Sequence, residues 1–263
     1  MNNIFNLKGK VALVTGAAGY LGQAMVEGLA AAGAIVYSNG RTEEKINNLV
    51  SLMTAKGYDV RPAIFDITNE DEINNFLPKL ESSKLDILVN NAYNGVAGSV
   101  ETSTKENYMK SYEVTIGATH SLVKLSLPYL RNAKAVSGDA SVINISSMYG
   151  MVSPDMRVYA SKDVANPPFY GAAKAALIQW TKYAACEFAQ EGIRFNSISP
   201  GAFPSKVVQE TNQELILDLV KKIPMSRVGS PSDLVGPLIF LASDSAGYVT
   251  GVNIPIDGGW TAW

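Results

Sequence analysis

Lys10-Val-Ala-Leu-Val-Thr15-Gly16-Ala-Ala-Gly19-Tyr-Leu-Gly22 is the stretch from which the rest of the chain is read. Its first half is a short apolar run rich in valine, which predicts a buried strand over residues 10–15. An apolar helical pattern starts at Gly22 and runs to Ala32. Between them, glycines let the backbone turn sharply, and the N–H groups of the helix that follows face whatever anion lies in the turn. The same glycines alone would make an ordinary tight turn. Their place, at the first strand–helix junction, is what gives them weight.

Outward from that junction, strand and helix patterns alternate. Strands are expected over residues 35–39, 60–66, 86–90, 141–146, 193–199 and 253–255, and helices over 43–56, 71–80, 108–131, 170–190 and 233–242. Thr68-Asn-Glu-Asp71 reads as a capping box for the helix at 71–80. Repeated βα units with short apolar strands imply a parallel sheet covered on both faces, an α/β, Rossmann-like doubly wound fold. No linker, repeat or low-complexity tract divides the chain, so residues 1–263 are expected to form a single domain. The least regular stretch is 149–169, with Pro154, Pro167 and Pro168. Long irregular segments in compact domains are often functional.

Composition bounds the class. The chain has 263 residues, 47% of them hydrophobic and 17% charged, with a formal net charge of −2. That is globular, and it carries no basic surplus for nucleic acid or an anionic membrane. The single cysteine, Cys186, excludes an internal disulfide framework, and its apolar neighbours predict a core position. The single histidine, His120, excludes a histidine-rich metal site, and no metal is expected. The N-terminus lacks a signal-peptide pattern, and no apolar run approaches the roughly 20 residues of a membrane span. A soluble, cytoplasmic protein is the expectation.

Tyr170-Gly-Ala-Ala-Lys174 opens the helix expected at 170–190. Residues four apart share a helix face. A phenol near its reference pKa of about 10 exchanges protons poorly at neutral pH, and an adjacent ammonium favours the phenolate. Such a tyrosine can give a proton to a carbonyl oxygen or take one from an alcohol. Ser146 and Ser147 close the strand at 141–146; a hydroxyl there caps the strand end or binds a substrate oxygen. Tyr159-Ala-Ser-Lys162-Asp163 is a rival, but its lysine is three residues away and Pro167-Pro168 follow before a helix can extend.

As a set, Thr15-Gly16…Gly22, Asp66, Asn90-Asn91-Ala92, Asn144-Ile-Ser-Ser147, Tyr170…Lys174, Ser199-Pro200-Gly201 and Asp257-Gly-Gly259 resemble the landmarks of the short-chain dehydrogenase/reductases, along nearly the whole chain. The resemblance implies nicotinamide-dependent hydride transfer, with Ser147, Tyr170 and Lys174 as the catalytic set. It implies a cofactor cradle of Gly16, Ala18, Gly19, Tyr20, Leu21 and Gly22. It also implies that Asp66 and Ile67 contact the adenine, that Asn91 lines the cleft, that Tyr170 and Lys174 reach the nicotinamide ribose, and that Pro200, Gly201 and Phe203 face the carboxamide. Gly40 stands where NAD users of the family carry aspartate. Arg41 could fork onto a 2′-phosphate, or stand solvated. NADP is therefore expected over NAD.

Four departures from the family pattern stand out: the glycine spacing, with Tyr20 after Gly19; Tyr93 in place of glycine; Thr115 where a catalytic asparagine is usual; and an insertion of roughly ten residues between Ser147 and Tyr170. Thr115 is expected to distort its helix by bonding its own backbone. The insertion predicts a substrate-facing loop, with Tyr149 and Tyr159 as candidate substrate contacts. The leading functional expectation is an NADP-dependent oxidoreductase for a secondary alcohol or ketone, with a sugar-like substrate in view. A non-catalytic dinucleotide-sensing or scaffold protein and a sugar-nucleotide epimerase are the alternatives. The Ile223–Gly229 segment and the tail Trp260-Thr-Ala-Trp263 resemble parts that pack between subunits, so a homotetramer is expected.

Overall fold

The computed structural model describes residues 4–93 and 95–263. In chain order the elements are β1 (Val11–Val14), α1 (Tyr20–Ala31), β2 (Ile35–Gly40), α2 (Glu43–Ala55), β3 (Val60–Ile64), α3 (Glu70–Phe76), β4 (Ile87–Asn90), α4 (Lys105–Tyr112), α5 (Ala118–Ser137), β5 (Ala140–Ile145), α6 (Pro168–Phe188), β6 (Ile193–Pro200), α7 (Lys206–Thr211), α8 (Gln213–Lys222), α9 (Val235–Ala242) and β7 (Asn253–Ile256). The seven strands form one sheet in the order β3-β2-β1-β4-β5-β6-β7, and every pairing is parallel.

Alternation along each strand feeds two cores. Ala12 and Val14 join Met25 and Leu29 of α1, Ile46 of α2 and Leu238 of α9 on one face. Val11 and Leu13 join Ile73 of α3, Leu122 of α5 and Phe195 of β6 on the other. Each fully buried Leu, Ile or Phe side chain contributes about 1.5–3 kcal/mol. Both faces are covered, so the strands read as apolar runs rather than as half-polar ribbons. The order reverses between β1 and β4, and a parallel sheet opens a crevice beyond the strand ends at such a point. The glycine turn and the Asn90–Ala92 segment both emerge there.

Several local expectations are corrected. The cap of α3 is Asn69, whose Oδ1 accepts from Asp71 N and Glu72 N; Thr68 instead donates to Asp66 Oδ1. The single helix expected over 108–131 is α4 and α5 joined by a π-helical turn at Glu113–Gly117. Pro168 begins α6 rather than blocking it, since a proline at the first helical position loses no intrahelical hydrogen bond. The short helices α7 and α8 were not anticipated. Cys186 is exposed, not core: it lies one step past buried Ala184 and Ala185, on the solvent side of α6. Trp260 is buried against Met148, Tyr149 and Ile223 of its own chain, while Trp263 is exposed. No helix among the described residues is long and apolar enough to cross a membrane.

Candidate active site

At the start of α1, Gly19 occupies the N-cap without any side-chain cap, and the first turn holds no acidic residue. Its leading N–H groups are therefore free to meet an outside anion. Gly16 has φ +62°, and a Cβ there would come within 2.9 Å of the Ala92 backbone; a Cβ on Gly22 would strike the Gly16 carbonyl. Thr15 fixes the loop to the end of β4: its Oγ1 accepts from Asn91 N (2.9 Å) and Ala92 N (3.0 Å), while Asn91 Nδ2 donates to Thr15 O (2.9 Å).

The result is a cleft of about 650 Å³. It gathers Gly16, Ala18, Gly19, Tyr20, Leu21 and Gly22 with Arg41, Asn91 and Phe203. Lys45, not singled out from the sequence, lines it beside Arg41. Its signal was a basic residue in the first turn of α2, close after Arg41. Asp66 and Ile67 do not line this cleft. Arg41 Nη1 lies 3.4 Å from Asp66 Oδ2. Burial acts to raise the Asp66 carboxyl, but hydrogen bonds from Thr68 and Arg41 outweigh it and hold the group below its usual range. The uncapped helix end, the cradle that admits no Cβ, and two cations with no acid at Gly40 together fit a dinucleotide bearing a 2′-phosphate.

A second cavity, of about 430 Å³, brings together Ser147, Tyr149, Tyr159, Tyr170, Lys174, Pro200 and Gly201. Leu21, Asn91, Tyr93 and Phe203 line both, so the two meet. A buried hydrogen-bonded ladder sets the geometry. Asn90 Nδ2 donates to Asn144 Oδ1 (2.8 Å), and Asn144 Nδ2 donates to Thr181 Oγ1 on α6 (2.9 Å). Ser146 Oγ donates to Lys174 O at 2.8 Å, which makes it an anchor for α6. The turn Met148–Gly150 presses directly on α6: a Cβ on Gly150 would lie 2.8 Å from the Lys174 carbonyl carbon. Ser147 is thereby delivered opposite Tyr170, and its Oγ accepts from Tyr149 N at 3.1 Å.

The electrostatics differ from the expectation that Lys174 acidifies Tyr170. Burial pushes the Tyr170 phenol up, opposed by a hydrogen bond with Ser147. Burial also lowers Lys174 to about 7. Lys174 Nζ donates to Ile145 O at 2.8 Å and stands 5.8 Å from the Tyr170 ring centroid. Tyr93 stands beside both, its ring 4.8 Å from that of Tyr170 and its hydroxyl 3.4 Å from Ser111 Oγ on α4. Thr115 is buried within the π turn, and its Oγ1 has no hydrogen-bond partner, so it does not bond its own backbone as expected. The rival Tyr159 is separated from its nearby lysine: Lys162 Nζ pairs with Glu101 at 2.6 Å, and Asp163 accepts from Ser99 Oγ. Tyr159 Oη instead lies 2.9 Å from Tyr149 Oη and accepts from Asn166 Nδ2 at 3.2 Å. Sequence reading did not single out Tyr93 or Asn166 as a site residue; Asn166-Pro-Pro drew notice only as a feature of the insertion that suggested a sugar-like substrate.

Cradle, crevice and Ser–Tyr–Lys cluster define a nicotinamide-dependent oxidoreductase on a doubly wound sheet. The family described as enoyl-(acyl carrier protein) reductase matches residues 16–261, and the chain belongs to the short-chain dehydrogenase/reductases. A 2,5-dichloro-2,5-cyclohexadiene-1,4-diol dehydrogenase of Sphingobium indicum is 34% identical over 257 residues, covering 97% of each chain. Among solved structures, an NADP active-site complex of RhlG from Pseudomonas aeruginosa aligns with TM-score 0.88 at 32% identity, over 99% of both chains. A gluconate 5-dehydrogenase of Burkholderia cenocepacia in complex with NADP and tartrate aligns with TM-score 0.87 at 26% identity, over 99% of this chain and 98% of that one.

Proposed function

We propose that the protein interconverts a secondary alcohol and a ketone on a sugar-like substrate with NADP as cofactor, residues 149–169 forming the substrate loop. The carrying observation is that Ser147, Tyr170 and Lys174 line one cavity that meets the glycine cradle at Leu21, Asn91, Tyr93 and Phe203. NADP, when bound, supplies the hydride acceptor or donor. Gly16, Ala18, Gly19, Tyr20, Leu21 and Gly22 hold the pyrophosphate, and Arg41 and Lys45 take the 2′-phosphate. Asp66 and Ile67 border the adenine, while Asn91, Pro200, Gly201 and Phe203 flank the nicotinamide half. Ser147 Oγ accepts from Tyr149 N and is hydrogen-bonded to Tyr170, which sets its hydroxyl beside the phenol that serves the reacting oxygen.

Tyr170, raised by burial, keeps its proton at neutral pH and is suited to give it to a carbonyl oxygen. Lys174, lowered to about 7, exchanges protons near neutrality and restores the one Tyr170 gives up. Tyr149 and Tyr159 contact the remainder of the substrate. Supporting this reading are the family membership and the NADP complexes among similar structures. The reading extends to a homotetramer in a reducing cytoplasm; sedimentation as a monomer overturns the former.

The test is NADPH consumption with a panel of ketoses and other ketones. Tyr170→Phe is expected to abolish turnover while NADPH still binds, as read by cofactor fluorescence. Turnover that survives Tyr170→Phe and is lost in Tyr159→Phe overturns the assignment.

A further inference from the structure

One wall of the substrate cavity carries a hydrogen-bonded trio that proton transfer at Tyr170 does not use. Asn166 Nδ2 donates to Tyr159 Oη, and Tyr159 and Tyr149 share a hydrogen bond at 2.9 Å. All three residues line the same cavity as Ser147 and Tyr170. The two phenols own two protons, and their mutual bond uses one. Whichever phenol donates, one O–H remains for a ligand, and the phenol oxygens keep acceptor capacity. A ligand hydroxyl, which both donates and accepts, satisfies such a wall; an apolar group leaves it unpaired.

Charge narrows the class. Among the described residues, Lys174 is the only charged side chain lining the cavity, and it donates to Ile145 O. Asp155, on the insertion, is already paired with Arg157 and Lys222. Burial first, then the neighbouring Tyr159, Tyr170 and the Asp155 carboxylate, push the Tyr149 phenol up, so it stays neutral. The aliphatic Val164, Val208, Leu215 and Leu219 also line the cavity. A carboxylate bound here would be stripped of water with no cation to receive it.

Resting on the oxidoreductase reading, we infer that the cavity selects an uncharged polyhydroxylated substrate, in which a hydroxyl beyond the reacting carbon binds the Tyr149–Tyr159–Asn166 trio, and that it rejects a carboxylate in that place. Asn166 is then a specificity residue, acting directly on Tyr159 and on the ligand. The selected class differs from the aldonate in the name of the Burkholderia cenocepacia relative and matches the uncharged diol in that of the Sphingobium indicum one.

The test uses the full chain with NADPH and three ketones of matched length: fructose, a deoxyketose lacking one hydroxyl, and 5-ketogluconate. Fructose is expected to exceed 5-ketogluconate in kcat/KM by at least about tenfold, and to exceed the deoxyketose. Tyr159→Phe and Asn166→Ala are each expected to lower the fructose-to-deoxyketose ratio about tenfold, chiefly through KM. A faster 5-ketogluconate reaction, or a ratio unmoved in both variants, overturns the inference while leaving the oxidoreductase reading intact. A parallel measurement does not need turnover: sorbitol at low millimolar concentrations, where general osmolyte stabilisation is negligible, should raise the melting temperature of the NADP-saturated protein saturably, and less so in either variant. That shift without any turnover sinks the catalytic reading and keeps the polyol site. Neither shift nor turnover with neutral polyols sinks the site.

Discussion

Lys174 Nζ lies 5.2 Å from the centroid of the Tyr93 ring, nearer than to the ring of Tyr170 at 5.8 Å. A cation over an aromatic face gains about 0.5–2 kcal/mol, the upper end when desolvated. Lys174 is 4% exposed and already lowered to about 7 by burial, so the ring partly offsets that loss. Tyr93→Leu removes the ring face and is expected to move the Lys174-dependent limb of the kcat/KM pH profile down by about 0.5–1 unit. Tyr93→Phe keeps the face and should leave that limb in place. Equal shifts in both would mean that the hydroxyl–Ser111 contact, not the ring, sets the effect.

Stability should report the same buried lysine. With its folded pKa at about 7 against 10.5 for a free lysine side chain, the unfolded chain binds more protons between those values. Stability then rises with pH across that window, and the burial cost is full below it. Lys174→Met should therefore stabilise the fold at pH 6, on the order of 2 kcal/mol after loss of the bond to Ile145 O, and the gain should vanish near pH 10.5. Denaturant melts at the two pH values check the sign.

The two serines at the end of β5 should separate cleanly. Ser146 Oγ donates to Lys174 O, so Ser146→Ala is expected to cost about 1–3 kcal/mol of stability. Ser147 faces the cavity, so Ser147→Ala should lower kcat by at least about a hundredfold, with a stability cost confined to the lost bond from Tyr149 N. Reversed phenotypes would exchange their roles.

Arg41 is 67% exposed at its side chain and pairs with Asp66 at 3.4 Å, a contact too solvated to hold it firmly. Arg41→Ala should raise the Kd for NADPH about tenfold to a hundredfold and leave NADH within about twofold. Lys45→Ala should act in the same direction. Fluorescence titration with both cofactors decides, and an equal loss for NADH would remove the 2′-phosphate role.

Asp155 accepts from both Arg157 and Lys222 and so ties the insertion to α8. Those two cations hold its carboxyl below the usual range, so the tether outlasts ordinary acidification. Asp155→Asn should speed limited proteolysis between residues 151 and 166 and raise KM more than it lowers kcat. Unchanged cleavage would show that the remaining contacts, the packing of Val158 and the Lys162–Glu101 and Ser99–Asp163 bonds among them, hold the segment without this tether.

The doubly wound sheet was legible because its determinants are local. Apolar strands repeat with helices between them, and Gly16 and Gly22 announce a turn where no Cβ fits. Ser147, Tyr170 and Lys174 were legible as residue types at fixed spacing, and Pro167-Pro168 pointed away from Tyr159, though for a reason the structure reverses, since Pro168 begins α6. What only the tertiary structure decided depends on groups far apart in sequence. Tyr93 reaches Lys174, Asn166 completes the Tyr149–Tyr159 pair, Trp260 fills the core beneath the substrate cavity, and the π turn strands Thr115 Oγ1. Periodicity and spacing describe which face of an element a side chain occupies; which partner waits there, and how far water is excluded, is set by packing between elements that no local pattern encodes.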